Sequence, residues 1–212
     1  GMIINISHSS DETTEQAIEV SEDPIVATHH GLRSVNDIPR LMPDDLLRKL
    51  AAKGGLIGFH IGQVFHSKAY FDWKTASQGK AFWDMTSVED QVEGLTMAEI
   101  DESMVSRHPS DGNTPPRELH MSIDEWLEVV EKAIDIAGED HVILGTDFDG
   151  NPSPPWGIKS TADLPLLTEG MLRRGWSEKR IKKFLGRNLL RVFRQINPES
   201  GALTGWMQGI IL

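Results

Sequence analysis

Apolar positions along this 212-residue chain fall into short runs separated by amphipathic stretches. Met2 to Ser7, Pro24 to Thr28, Gly55 to His60 and Val142 to Gly145 are too short for buried helices and read as strands covered on both faces. Between them the period changes. Ser9-Ser10-Asp11-Glu12 opens a helical pattern that ends near Val20, with a serine to cap it and acids at its positive end. Pro43 to Lys53 reads as a helix with proline at its first position and Gly54 at its stop. Ser122-Ile-Asp-Glu125 is a capping box; Trp126, Leu127, Val130, Ala133, Ile134 and Ala137 then recur at helical spacing up to Gly138. Ala162 to Arg174 and Ser177 to Leu185 read as two more helices, and Asn188 as the cap of a last one through Ile196.

Strand followed by helix, repeated, is the grammar of a parallel α/β structure. Four such units are half of an eight-stranded barrel, so the expected fold is a partial (β/α)8 barrel over 1–200. Gln63 to Met121 breaks the rhythm after the third strand. It is rich in Ser, Asp, Gly, Trp and Pro and is expected to be a surface insertion, a candidate lid, with at most one or two short helices such as Met97 to Val105. Its His66, His108 and His120 read as solvated surface histidines. The tail, 201–212, ends apolar and is expected to dock on something.

Charge and composition narrow the chemistry. With 21 Lys+Arg against 32 Asp+Glu the net charge is -11, which repels phosphate backbones and anionic membranes and speaks against nucleic-acid or membrane partners. There is no Cys and there are eight His, so any metal would be held by imidazoles and carboxylates. No apolar run approaches the roughly 18 residues that span a bilayer, and the start lacks a signal-peptide pattern. A soluble, cytoplasmic product is the expectation.

His8, His29, His60 and Asp147 each stand just past the carboxyl end of a separate predicted strand. A parallel sheet gathers those ends on one rim, where ligands collect in α/β folds. Imidazoles with a carboxylate there suit Zn²⁺ or a similar divalent ion, and an acid beside activated water can move its proton. Each residue also has a plainer reading. A histidine can be satisfied by a backbone carbonyl, and Asp147 or Asp149 can make an Asx-turn.

The strings Ile6-Ser-His-Ser-Ser-Asp-Glu12, Pro24-Ile-Val-Ala-Thr-His-His30, Arg40 before Pro43-Asp-Asp-Leu-Leu47, Ala51-Ala-Lys-Gly-Gly-Leu-Ile-Gly58, Gly138 to Gly150, Leu172-Arg-Arg-Gly-Trp176 and Asn188-Leu-Leu-Arg-Val-Phe193 together resemble the membrane dipeptidase (renal dipeptidase, peptidase M19) family. The resemblance implies a (β/α)8 barrel whose two zinc ions serve dipeptide hydrolysis, often with tolerance for a D-residue on the carboxyl side. It assigns His8 and His29 to the second zinc, Asp147 to proton handling and Arg40 to the substrate carboxylate. His30, His60 and Asp149 receive no duty, and Arg33 stays a solvated loop charge. Gly62 stands where an aromatic substrate contact is expected.

The resemblance also marks an absence. The family's His-x-Asp and bridging Glu for the other zinc, and the His that polarises the carbonyl, would precede the residues found here. No histidine in the chain has Asp two places on. The chain therefore reads as the C-terminal half of a metallo-dipeptidase-like barrel, strands five to eight. Three accounts follow: part of a zinc-dependent dipeptidase-like hydrolase completed by another half; a non-catalytic half-barrel remnant acting as an oligomeric binding or structural module; or a small-molecule binding module whose rim histidines hold no metal. The first two predict self-association or a missing N-terminal half as partner, and substoichiometric or absent zinc.

Overall fold

The structure, a computed structural model, describes residues 1–78, 115–148, 150 and 153–198. Three parallel strands, β1 (Val26–His30), β2 (Leu56–Phe59) and β3 (Val142–Leu144), lie in the order β1-β2-β3. The first expected strand shrinks to one residue: Asn5 bridges Val26 in parallel. Its side chain explains the shortness. Asn5 Oδ1 accepts the N–H groups of Ser7 and Thr28 at 3.1 and 3.2 Å, so a side chain takes donors that a longer strand would commit to its ladder.

Among the described residues the helices are α1 (Asp11–Val20), α2 (Asp44–Ala52), α3 (Lys68–Gln78), α4 (Ile123–Ala137), α5 (Pro165–Arg173), α6 (Glu178–Lys182) and α7 (Asn188–Ile196). Ser10, Ser122 and Ser177 each cap a helix by accepting the N–H three residues on. The capping box of Ser122 and Glu125 forms, and Gly138 ends α4 with φ 87°. Pro43 stands one place earlier than expected, at the N-cap of α2.

Both faces of the sheet are covered. Ala27, Ile57, Phe59 and Val142 pack with Ile18 of α1, Leu46, Leu47 and Leu50 of α2, Trp126, Leu127 and Val130 of α4, and Leu167 and Met171 of α5. Val26, Leu56 and Ile143 pack with Val192 of α7. Each fully buried side chain of this size contributes roughly 1.5–3 kcal/mol, which fixes the strands and hence their carboxyl ends. Gly58 and Gly145 let the sheet close tightly, because a Cβ at either would lie about 2 Å from the Thr28 carbonyl oxygen (1.9 and 2.0 Å).

Three residues depart from expectation: His66, His120 and Asn188. The stretch after β2 is structured where it is described: Gln63–Phe65 is a 3-10 turn, and α3 follows, its Tyr70 packed on Ile38, Leu41, Val64 and Phe65. His66 is no surface histidine. It is buried, stacked on Phe59 at 4.7 Å, and its Nε2–H donates to the His60 carbonyl. His120 is half-buried against Trp156 and Tyr70. Asn188 is not a free cap: it is buried at the start of α7, with Nδ2 donating to the carbonyls of Glu139 and Val142 at 2.8 and 3.0 Å. His108, Asp149, the Met97 to Val105 stretch and the 201–212 tail lie outside the described residues.

Candidate functional site

The carboxyl end of the sheet gathers His8, His29, His60, Asp147 and Arg40. His8 sits in the turn after the Asn5 bridge with φ 69°, and Asp147 sits two residues past Gly145 with φ 50°. These are the positive-φ non-glycine residues among those described, a conformation that costs of order 1–3 kcal/mol and concentrates at functional positions. His29 lies on a bulge. Ala27 pairs with Ile57 and His30 with Phe59, so Thr28 and His29 together face Gly58, and such bulges re-aim side chains beside active sites.

Hydrogen bonds set the imidazole tautomers from the backbone outward. Two N–H donors on one Asn5 side-chain atom identify it as the oxygen, so the Thr28 hydroxyl, 3.2 Å away, donates to it. Thr28 Oγ1 then accepts Nδ1–H of His29 at 3.0 Å. His29 Nε2 is left as a bare lone pair. His8 Nε2 faces it at 2.9 Å, an approach in which one nitrogen must carry the hydrogen and the other cannot. An imidazole whose far N–H is held by a neighbour is the arrangement that orients metal ligands, and 2.9 Å lies within the reach of two Zn–N bonds of about 2.0–2.1 Å. Among the described residues, no group of three His, Asp or Glu is placed to hold a metal.

His60 closes the other side. Its Nε2 is 3.2 Å from Asp147 Oδ2, and His29 Nε2 is 3.9 Å from the same oxygen. Burial lowers the pKa of His8 and His29, with the Arg40 charge adding to it; Asp147 opposes the shift in both. Burial, with help from His66 and His29, pushes His60 down to about 2. The three are therefore neutral imidazoles at neutral pH. His30 is buried, bonded to the Gly31 carbonyl at 3.3 Å and pushed down to about 3, chiefly by burial; it is the carbonyl-satisfied histidine of the plainer reading.

Arg40 Nη2 donates to the His29 carbonyl at 3.0 Å, its guanidinium lies 5.8 Å from the Phe65 ring centre, and its buried Nη1 has no hydrogen-bond partner. A buried, orphaned cationic donor costs free energy unless a ligand meets it. Arg33, expected to be solvated, instead forks onto Asp11 at 2.6 and 2.9 Å.

The strand-end pattern named His8, His29, His60 and Asp147, and these four meet on one rim, with Arg40 beside them. Two supports were missed. Asn5 had a signal, as a polar residue inside an apolar run. Gln63 had none: it is wholly buried, takes the Met121 N–H at 2.7 Å and donates to the Pro154 carbonyl at 3.3 Å, tying the segments around the rim together.

A family profile described as membrane dipeptidase (peptidase family M19) matches residues 1–203. The chain belongs to the membrane dipeptidase family. Among curated members, Dipeptidase 3 of Mus musculus is 26% identical over 196 residues, 92% of this chain and 30% of that protein. Dipeptidase ataJ of Aspergillus terreus (strain NIH 2624 / FGSC A1156) is 29% identical over 196 residues, 92% of this chain and 36% of its own length. The chain spans about a third of the length of these relatives. In fold it is similar to a metallo peptidase from Rhodobacter sphaeroides liganded with a phosphinate mimic of the dipeptide L-Ala-D-Ala (TM-score 0.62, 22% identity, 89% of this chain and 40% of that one). It is also similar to the probable dipeptidase PvdM from Pseudomonas aeruginosa (TM-score 0.67, 22% identity, 90% and 49%). Among the described residues no helix is long and apolar enough to cross a membrane.

Proposed function

We propose that this chain carries the C-terminal half of a zinc-dependent dipeptidase site on half of a (β/α)8 barrel. The observation that supports it most is the convergence of four side chains from separate elements on one rim, with the Nε2 atoms of His8 and His29 2.9 Å apart. His8 and His29 would hold one zinc ion, which when bound supplies an electrophile and a water of lowered pKa. The remaining work belongs to the protein. Asp147, hydrogen-bonded through Oδ2, takes the proton of the attacking water on its carboxylate and returns it to the departing amine. Arg40 presents Nη1 to the substrate's terminal carboxylate, and its burial strengthens that charge-assisted bond. Thr28 and Asn5 hold His29 in the tautomer that a metal requires.

Two nitrogen ligands are fewer than the three protein ligands usual in catalytic zinc sites, so completion from outside the described residues is part of the reading. Among the described residues β3 forms an edge of the sheet. A cavity of about 540 Å³ lies beside it, lined by Leu144, Leu164, Pro165, Thr168, Glu169 and Leu185. An open parallel edge with apolar flanks invites a further strand, from a preceding half-barrel or a second copy. The two-ligand set also favours a second reading, a non-catalytic oligomeric half-barrel.

Zinc calorimetry on the purified chain tests the proposal. It predicts weak, substoichiometric binding that His8→Ala or His29→Ala abolishes without unfolding. Full two-zinc occupancy with dipeptide turnover would show that a second copy supplies the missing ligands. A folded chain that binds no zinc would overturn the metal site.

A further inference from the structure

We infer that His60 is a positioning residue for Asp147, fixing which carboxylate oxygen is tied to the protein and which faces the reaction. The inference rests on the proposed role of Asp147. Every polar atom of His60 has a hydrogen-bond neighbour. Its backbone N–H donates to the His30 carbonyl at 2.9 Å. Its carbonyl accepts two donors, His66 Nε2–H at 2.6 Å and Trp126 Nε1–H at 2.9 Å. Its Nδ1 accepts the Gly62 N–H at 2.8 Å. A ring nitrogen that accepts a backbone N–H cannot itself carry hydrogen, so the hydrogen of the neutral ring is on Nε2 and points at Asp147 Oδ2, 3.2 Å away.

The ring is also held by packing, with Phe65 edge-on at 4.5 Å and the side chain only 2% exposed. Rigidity is thus passed from the core, through Trp126 and His66, to a side chain whose Nε2 meets the carboxylate. Asp147 needs such a support because its backbone is left-handed, with φ 50°. Gly150 supplies the opposite wall, since a Cβ there would lie 2.7 Å from both carboxylate oxygens. Asp147 Oδ2 takes both imidazole approaches, at 3.2 Å from His60 Nε2 and 3.9 Å from His29 Nε2. Oδ1 is thereby assigned to the transferred proton.

NMR on the full ¹³C,¹⁵N-labelled chain tests this without requiring turnover. The wild-type His60 ring is expected as the Nε2–H tautomer, and its Nε2–H to exchange with solvent at least tenfold faster in Asp147→Ala. His60→Ala is expected to move the Asp147 carboxyl ¹³C signal, and His60→Gln, whose amide reaches the place of Nε2, to restore it. If His60→Ala fails to fold, the exchange comparison and His60→Gln still decide. An Nδ1–H tautomer in the wild type, or an Asp147 signal indifferent to His60→Ala in a folded chain, overturns the inference. The bond intact in a chain that binds no added Zn²⁺ upholds the positioning and overturns only the hydrolase reading.

Discussion

The two ends of the sheet use the same kinds of residue to opposite ends. At the amino end, polar side chains are consumed by the fold. Asn188 satisfies two carbonyls, Arg191 donates to those of Gly54 and Asp140, His141 pairs with the Gly55 carbonyl, and Lys183 holds Glu139 and Asp140. Positive φ is carried there by Gly54 and Gly138, which adopt it without strain. At the carboxyl end, positive φ is carried by His8 and Asp147, two histidine nitrogens face each other at 2.9 Å, and a buried Arg40 donor has no partner. The amino end is closed on itself but for Arg191 Nε, a buried donor with no partner; the carboxyl end joins such a donor to strained backbone and facing imidazoles, as binding sites do.

That contrast predicts where mutation harms folding and where it harms binding. Trp126→Ala should do both, because Trp126 is fully buried and also holds the His60 carbonyl. Its expected cost is about 3–5 kcal/mol in urea unfolding, with weakened zinc binding. Next comes acid. His66 is wholly buried and pushed down to about 4, chiefly by burial, from an ordinary 6.5. The unfolded chain therefore binds the extra proton in that window. The His66 contribution is complete above pH 6.5 and is lost as pH falls toward 4, about 3 kcal/mol in all. Unfolding curves across that range should be flatter in His66→Gln than in the wild type.

Asn188→Ala strands two buried carbonyls and should cost about 1–3 kcal/mol while leaving zinc affinity unchanged, the signature of an amino-end residue. His8→Gly should show the reverse. It relieves the left-handed turn and raises stability by up to about 1 kcal/mol, yet abolishes zinc binding in calorimetry. Stabilisation of the chain by His8→Gly with zinc binding retained would erase the distinction between the ends.

How much of this was legible depended on what each residue was asked to do. Strands ending in histidine were visible because an apolar run followed by an imidazole is a pattern in one dimension, and the capping box at Ser122 is a local code. α3 was not visible. Its Tyr70, Phe71 and Trp73 make no regular stripe, and Tyr70 finds its core in Ile38 and Leu41, more than twenty residues away. Asn188 read as a helix cap because its local context is that of one; its actual partners, at Glu139 and Val142, are set by tertiary packing. The candidate site was legible as a set of residue types. The tautomers were not, because they depend on Asn5, Thr28 and Gly62, whose roles exist only once β1 is bulged and β2 lies beside it.

Zinc-edge anomalous diffraction from crystals of the full chain soaked in Zn²⁺ tests the central claim most directly. The account predicts an anomalous peak between the Nε2 atoms of His8 and His29, at about 2.0–2.1 Å from each, that is absent from His29→Ala crystals. Zinc bound only elsewhere on the chain, with those two nitrogens still facing one another, would contradict it.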